Sequence, residues 1–290
     1  MYAHGCVAKK TVYSLLFFWM MPLSSIATEA ESDSVVPECR IEADYLEQVS
    51  LQGSSPDHVE SFSCFRTIDE VTPEQSLIVD IRTPDAYRQA RIPGSINLSS
   101  NKLLNTGALQ SRDLLVVDQG FSRSRMAEFC AKAEVNGFER LTVLVGGTAA
   151  WSAAGLEMQG APDAIARLYD IEPSEFFAEV SRQRVTVLVD ESQTESLQQL
   201  IGSEVKVLGL PDSGDAIEQQ LVSLFSSGQY DEIFPMVYVG SDPAVTGFAR
   251  KHRSLFVLDQ TPDELRAKRH QLLASATQRK GIPERYRCGG

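Results

Sequence analysis

Apolar residues in this chain gather in short runs of four or five, each closed by a polar or glycine-containing turn and followed by apolar positions at helical spacing. Ser76–Asp80 (SLIVD) reads as a buried strand, Thr83–Gln89 as a short capped helix, and Arg91–Gly94 as a turn into a second short strand, Ser95–Leu98. Leu114–Val117 (LLVV) is the next strand. A loop follows it, then a helix over Ser124–Asn136 that Gly137 is placed to cap. On that helix Met126, Phe129, Cys130 and Ala133 share one face and are expected to meet the core. Leu141–Val145 is a further strand, and Gly146-Gly147 turns it into a helix around Ala149–Trp151.

After a linker at Leu156–Ala164 a similar order recurs. The pattern predicts helices at Ser174–Arg182, Glu195–Ile201 and Thr246–His252. It predicts strands at Val185–Asp190, Val205–Leu208, Pro235–Val239 and Leu255–Leu258. Strands alternating with helices imply an α/β fold in which a central parallel sheet is flanked by helices. The repeated order implies a second, diverged α/β domain of the same fold.

The two ends of the chain differ from this body. Residues 1–30 have the pattern of a signal peptide: Lys9 and Lys10, an apolar run from Val12 to Met21, Pro22, and small residues that allow cleavage after Ala27 or Ala30. That apolar run is too short for a comfortable membrane span. Export to the periplasm or outside the cell is therefore expected. Residues 31–65 read as an N-terminal extension, 66–160 as the first domain, 165–260 as the second, and 261–290 as a basic helix and tail.

Charge narrows the partners. The net charge is −12, and removing residues 1–27 with their two lysines makes it −14 (−12 − 2). Such a body repels nucleic acid and anionic lipid, so neither is expected as a partner. Residues 261–290 hold seven Lys/Arg against three Asp/Glu, a possible docking site within an otherwise acidic protein. Beyond the leader lie Cys39, Cys64, Cys130 and Cys288; in an oxidising compartment a Cys39–Cys64 disulfide is expected. His58, His252 and His270 lack metal-ligand spacing, and no cofactor or metal is expected.

The segment with the most chemistry is Asp118-Gln119-Gly120-Phe121-Ser122-Arg123-Ser124, where a strand ends, six residues turn and a helix begins. Such a loop points backbone N–H groups inward, the helix dipole adds positive potential, and Arg123 can add a planar bidentate donor. The expected product is a cradle for an oxyanion or a persulfide.

Around this loop the chain resembles the rhodanese family. The resemblance is carried by LIVDIRTPDAYRQARIPGSINLS (Leu77–Ser99), the loop ending in Arg123-Ser124, Gly137-Phe138, and VLVGGTAAW (Val143–Trp151). A fainter resemblance in IEPSEFF (Ile171–Phe177) and VTVLVD implies a tandem arrangement. The family's nucleophile is a cysteine four intervening residues before the loop arginine, and that position here is Asp118. A carboxylate cannot hold sulfur as a persulfide, and its charge opposes anions in the cradle. The corresponding loop of the second half, Val239–Val245, has neither cysteine nor arginine, and Pro243 removes a backbone donor.

The resemblance with this substitution implies a catalytically inactive module. It would bind a protein or a small polar ligand through residues 118–124. The alternatives are sulfur transfer by a non-standard cysteine, Cys130 or Cys288, and a hydrolase-type reaction at Asp118. Cys130 reads more simply as a buried structural cysteine.

Overall fold

The computed structural model describes residues 59–212, 214–226 and 233–280. All of them lie in one compact unit. The signal-peptide segment, Cys39, His58, Cys288 and the tail beyond residue 280 fall outside the described residues.

The first half contains β1 (Phe65–Arg66), β2 (Leu77–Asp80), the two-residue β3 (Ala90–Arg91) and β4 (Ile96–Asn97), then β5 (Leu114–Val117) and β6 (Leu141–Leu144). Five of these strands form a parallel sheet in the order β1-β6-β5-β2-β4, with Leu77 opposite Leu114 and Leu114 opposite Leu141. Every residue of β5 is buried, as a continuous apolar run requires of a central strand covered on both faces. The helices are α1 (Pro84–Gln89), α2 (Ser100–Leu104), α3 (Arg123–Val135) and α4 (Gly147–Ala153). Thr83 caps α1 by accepting the Ala86 N–H, and Pro84 supplies a fixed φ at its first position. Met126, Phe129, Cys130 and Ala133 of α3 all face the core, as their spacing predicted.

Residues 31–65 read as an extension lying over the first domain; the last of them, Phe65, joins Arg66 in an edge strand of its sheet, against Val143 and Leu144. The expected linker is also partly structured. Within it β7 (Gln159–Gly160) pairs antiparallel with β3, and α5 (Pro162–Ala166) follows.

The second half runs α6 (Pro173–Val180), β8 (Thr186–Asp190), α7 (Thr194–Ile201), β9 (Lys206–Leu210), α8 (Gly214–Ser226), β10 (Met236–Val239), α9 (Pro243–Ala249), β11 (Leu255–Leu258) and α10 (Pro262–Lys280). Its sheet is parallel, in the order β11-β10-β8-β9. Strand for strand this matches β6-β5-β2-β4 of the first half, so the repeated order seen in the sequence is also a repeated topology. Helix α8 was missed in the sequence, although Ile217 and Leu221 are buried one helical turn apart on it. Helix α9 begins three residues earlier than expected, because Pro243 starts it and does not interrupt a loop.

One apolar cluster joins the halves: Phe121 and Ala149 of the first pack with Phe176, Val187, Val237 and Phe256 of the second. The Phe121 and Phe256 rings meet edge to face, with centroids 5.3 Å apart. Among the described residues no helix is long and apolar enough to cross a membrane.

Candidate binding site

The site starts where β5 delivers Asp118 at the carboxyl end of the central strand, the usual place for a ligand loop in a parallel sheet. The loop turns at Gly120, whose φ of +117° suits glycine and where a Cβ would stand 2.0 Å from the Gly146 carbonyl oxygen. The Gly146-Gly147 turn lies directly against the loop. From the start of α4, Thr148 N–H donates to the Asp118 carbonyl at 2.9 Å and Ala149 N–H to that of Gln119 at 3.3 Å. The two glycine signals of the sequence therefore form a single contact, in which one turn supports the other.

All seven predicted residues, Asp118, Gln119, Gly120, Phe121, Ser122, Arg123 and Ser124, come together here. They face the second half of the protein, however, and not solvent: six are buried and Gln119 is partly so. Gln119 Nε2 donates to the carbonyls of Leu168 (3.4 Å) and Asp170. Ser122 Oγ donates to Glu175 Oε1 at 3.4 Å.

The expectation for Arg123 needs correction. Its side chain is 2% exposed and does not project into a cradle. Nε donates to the Ile233 carbonyl at 2.7 Å and a terminal nitrogen donates to the Gly120 carbonyl. A buried guanidinium seeks partners for its fixed fork of donors, and carbonyl oxygens from both halves take two of its nitrogens. Arg123 is thus a tie within the fold.

Three residues that sequence reasoning did not select complete the site. Arg125, on the exposed side of α3, approaches Asp118 Oδ2 at 3.3 Å while Asp118 itself is 3% exposed. Glu179 and Glu175 come from α6. Glu179 accepts the Ser124 N–H at 3.1 and 3.3 Å on its two oxygens, and the Ser124 hydroxyl at 3.0 Å. Burial pushes its carboxyl above the ordinary carboxylate range, outweighing the Ser124 bonds and the Arg123 and Arg182 charges. Burial also raises the Glu175 carboxyl; the Arg125 charge opposes this and Asp118 adds to it. The signal was present in Glu175 and Glu179, acids one turn apart on a helix with an apolar face, but nothing in the sequence ties them to Ser124.

The second half follows the same logic with its own residue. Asp242 caps α9, accepting the N–H groups of Ala244 (2.7 Å) and Val245 (3.4 Å). In both halves, then, a carboxylate of the chain sits on the helix that follows the central strand.

The expected Cys39–Cys64 disulfide is also corrected. Cys64 is bonded to Cys130, which is wholly buried on α3. The bridge staples the segment before β1 to that helix across 66 positions of sequence. Proximity decided against the expectation: Cys130 lies in the same core cluster that Cys64 packs on.

Among the described residues no group of His, Cys, Asp or Glu is arranged to hold a metal. His252 stacks on Phe248 with ring centroids 3.7 Å apart. Two cations of the basic helix α10 bond within the fold: Arg266 binds Asp263, and Arg269 donates to the Leu200 carbonyl at 2.9 Å.

A parallel sheet with helices on both faces and a strand-loop-helix turn at its centre defines the class of the first half. Residues 67–154 match the family model of the rhodanese-like domain, and this part of the chain is a rhodanese-like domain. Solved structures similar to the chain include the BH2092 protein of Bacillus halodurans, 24% identical, with 34% of this chain and 78% of that one aligned at a TM-score of 0.29. The rhodanese-like domain of the Alr3790 protein of Anabaena sp. is 26% identical over 31% of this chain and 68% of that one, at 0.27. SseA of Escherichia coli, described as a 3-mercaptopyruvate sulfotransferase, is 12% identical over 76% of this chain and 95% of that one, at 0.24. No curated protein matches the sequence.

Proposed function

We propose that this protein is an exported tandem rhodanese-like protein without sulfurtransferase activity, in which the fold serves as a binding or scaffolding module. The observation that carries the reading is the state of the loop. Asp118, at the position where the family resemblance calls for cysteine, is buried beside Arg125, and the Ser124 N–H and hydroxyl in the first turn of α3 are taken by Glu179. Sulfur transfer needs a thiolate nucleophile and free donors to stabilise the persulfide and the departing anion. Asp118 offers no thiolate, and the Ser124 donors are already taken by Glu179. A fold outlives its chemistry when its surfaces retain a use.

Two further observations support parts of the reading. The matching strand orders of the two sheets favour a tandem origin for the second half. A Cys64–Cys130 disulfide fits the oxidising compartment to which the leader-like residues 1–30 would send the chain. The alternative of sulfur transfer by Cys130 is weakened by the same bond, which leaves that sulfur no free thiol.

The test is a thiosulfate-to-cyanide sulfurtransfer assay on the mature protein, with affinity capture from periplasmic extract run beside it. No thiocyanate above the buffer rate, together with a partner lost on Asp118→Ala or Arg125→Ala, is the expected result. Turnover by the wild type would remove the proposal.

A further inference from the structure

We propose that the cleft between α8 and the turn from α9 into β11 is a binding site for a small aromatic carboxylate. None of residues 118–124 lines this cleft, so the site stands or falls independently of how that loop is read.

The sequence marks the place. Arg250-Lys251-His252-Arg253 sets four basic residues in a row within a chain of net charge −12. They follow the last residue of α9, where cations complement the carboxyl end of a helix. That local role accounts for the run but not for the space beside it. A cavity of about 320 Å³ opens there, within the size range of small-molecule sites. Its titratable lining is Lys251, His252 and Arg253, and among the described residues no Asp or Glu lines it. Helix α8 supplies an apolar wall, Phe225 and Val222, the latter 49% exposed.

The groups differ in what they have left to offer. Arg253 is committed to Asp69 of the first half. Among the described residues the Lys251 and His252 side chains have no ion-pair or hydrogen-bond partner. The His252 ring is held in place by aromatic contact, stacked on Phe248 at 3.7 Å between centroids, with Phe225 at 4.8 Å. A ligand that suits both walls carries a flat apolar body for Val222 and Phe225 and a negative group for Lys251 and His252. A bare inorganic anion leaves the apolar wall wet, and a neutral ring gains nothing from the cations. An exposed lysine contributes little by itself, so burial of the ring has to supply most of the affinity.

Proton linkage gives the site a signature. The charged groups beside His252 are Lys251 and Arg253 of its own turn; α8 and Phe248 of α9 bring none, and Arg250 acts on Tyr169 and Asp170. Burial, then the Lys251 charge, lowers the His252 pKa, so the free ring is neutral near neutrality. A carboxylate beside it favours the imidazolium. Binding therefore takes up a proton and tightens as pH falls.

The experiment is calorimetric titration of the full chain with naphthoate. Naphthamide serves as the neutral ring and acetate as the carboxylate without one. Naphthoate is expected to saturate one site below about 1 mM, with both controls at least about tenfold weaker. Its affinity should fall about threefold or more between about pH 6 and about pH 8 in the wild type and stay flat in His252→Gln. Val222→Asp puts a carboxylate into the apolar wall at a half-exposed position and should weaken binding at least about tenfold. Lys251→Ala, at an exposed position, gives a second reading should Val222→Asp fail to fold, with a loss of about threefold expected. The proposal is overturned by the absence of saturable naphthoate binding, by equal binding of naphthamide, by affinity that is the same at both pH values, or by affinity that neither Val222→Asp nor Lys251→Ala changes.

Discussion

Glu179 and Ser124 stand 55 positions apart in sequence and share three hydrogen bonds, all accepted by one buried carboxylate at the start of α3. The pair joins α6 of the second half to the loop of the first. With the Phe121–Phe256 ring contact and the Arg123 bond to the Ile233 carbonyl, it makes the loop a joint between the halves.

Removing the acceptor should therefore cost stability. Glu179→Ala leaves the Ser124 N–H and hydroxyl without their partner, and a loss of about 1–3 kcal/mol is expected. Glu179→Gln keeps an acceptor and sheds the desolvated charge, so its loss should be below about 1 kcal/mol. Urea unfolding of the two variants beside the wild type decides this, and equal losses would show that the charge and not the hydrogen bonds matters.

The same residue sets a pH dependence. Its folded carboxyl lies above the ordinary range, so the folded state binds a proton more tightly than the unfolded state. Its contribution is then fully present below the ordinary carboxylate pKa and declines as pH rises through the raised value. His252, whose pKa burial lowers, acts in the opposite direction near neutrality, so the wild type alone does not isolate the effect. The difference between wild type and Glu179→Gln does. It should move in favour of the wild type as pH falls from about 8 to about 5, followed by unfolding at each pH.

Restoring the nucleophile alone should not restore chemistry. Asp118→Cys places a thiol at the loop's first position, but Glu179 still takes the Ser124 N–H and hydroxyl. We expect no thiocyanate from Asp118→Cys and measurable turnover only from Asp118→Cys combined with Glu179→Ala. Activity in the single variant would mean that the loop works without displacement of Glu179.

The disulfide predicts a redox-dependent stability. Breaking a bridge that closes a loop of this size typically costs about 2–4 kcal/mol. Dithiothreitol should lower the melting temperature of the wild type and leave a Cys64→Ala/Cys130→Ala variant unchanged. Thiol titration of the denatured, unreduced protein should find Cys64 and Cys130 unreactive.

At the turn, Gly120→Ala should cost at least about 2 kcal/mol, since a Cβ would collide with the Gly146 carbonyl from a left-handed φ. Gly137→Ala is the control. It too has a positive φ but open space around it, so only the smaller backbone cost is expected.

The sequence by itself determined the parts whose causes are local. The run LLVV can be buried on both faces only as a central parallel strand, and β5 is that strand. Thr83 and Pro84 begin a helix through the Thr83 hydroxyl and the fixed proline φ, and Met126, Phe129, Cys130 and Ala133 face inward because they recur at helical spacing. The strand-loop-helix at residues 118–124 was legible for the same reason. Only the tertiary structure decided what that loop faces. Whether Arg123 reaches outward or ties two carbonyls, whether Cys64 meets Cys39 or Cys130, and whether the helix N-terminus is free or held by Glu179 depend on segments 55 to 110 positions apart. Local pattern sets a residue's periodicity and conformation, but it carries no information about which distant group will fill the space in front of it. Here that space was filled by the chain's own second half, which turned an expected open cradle into a buried joint.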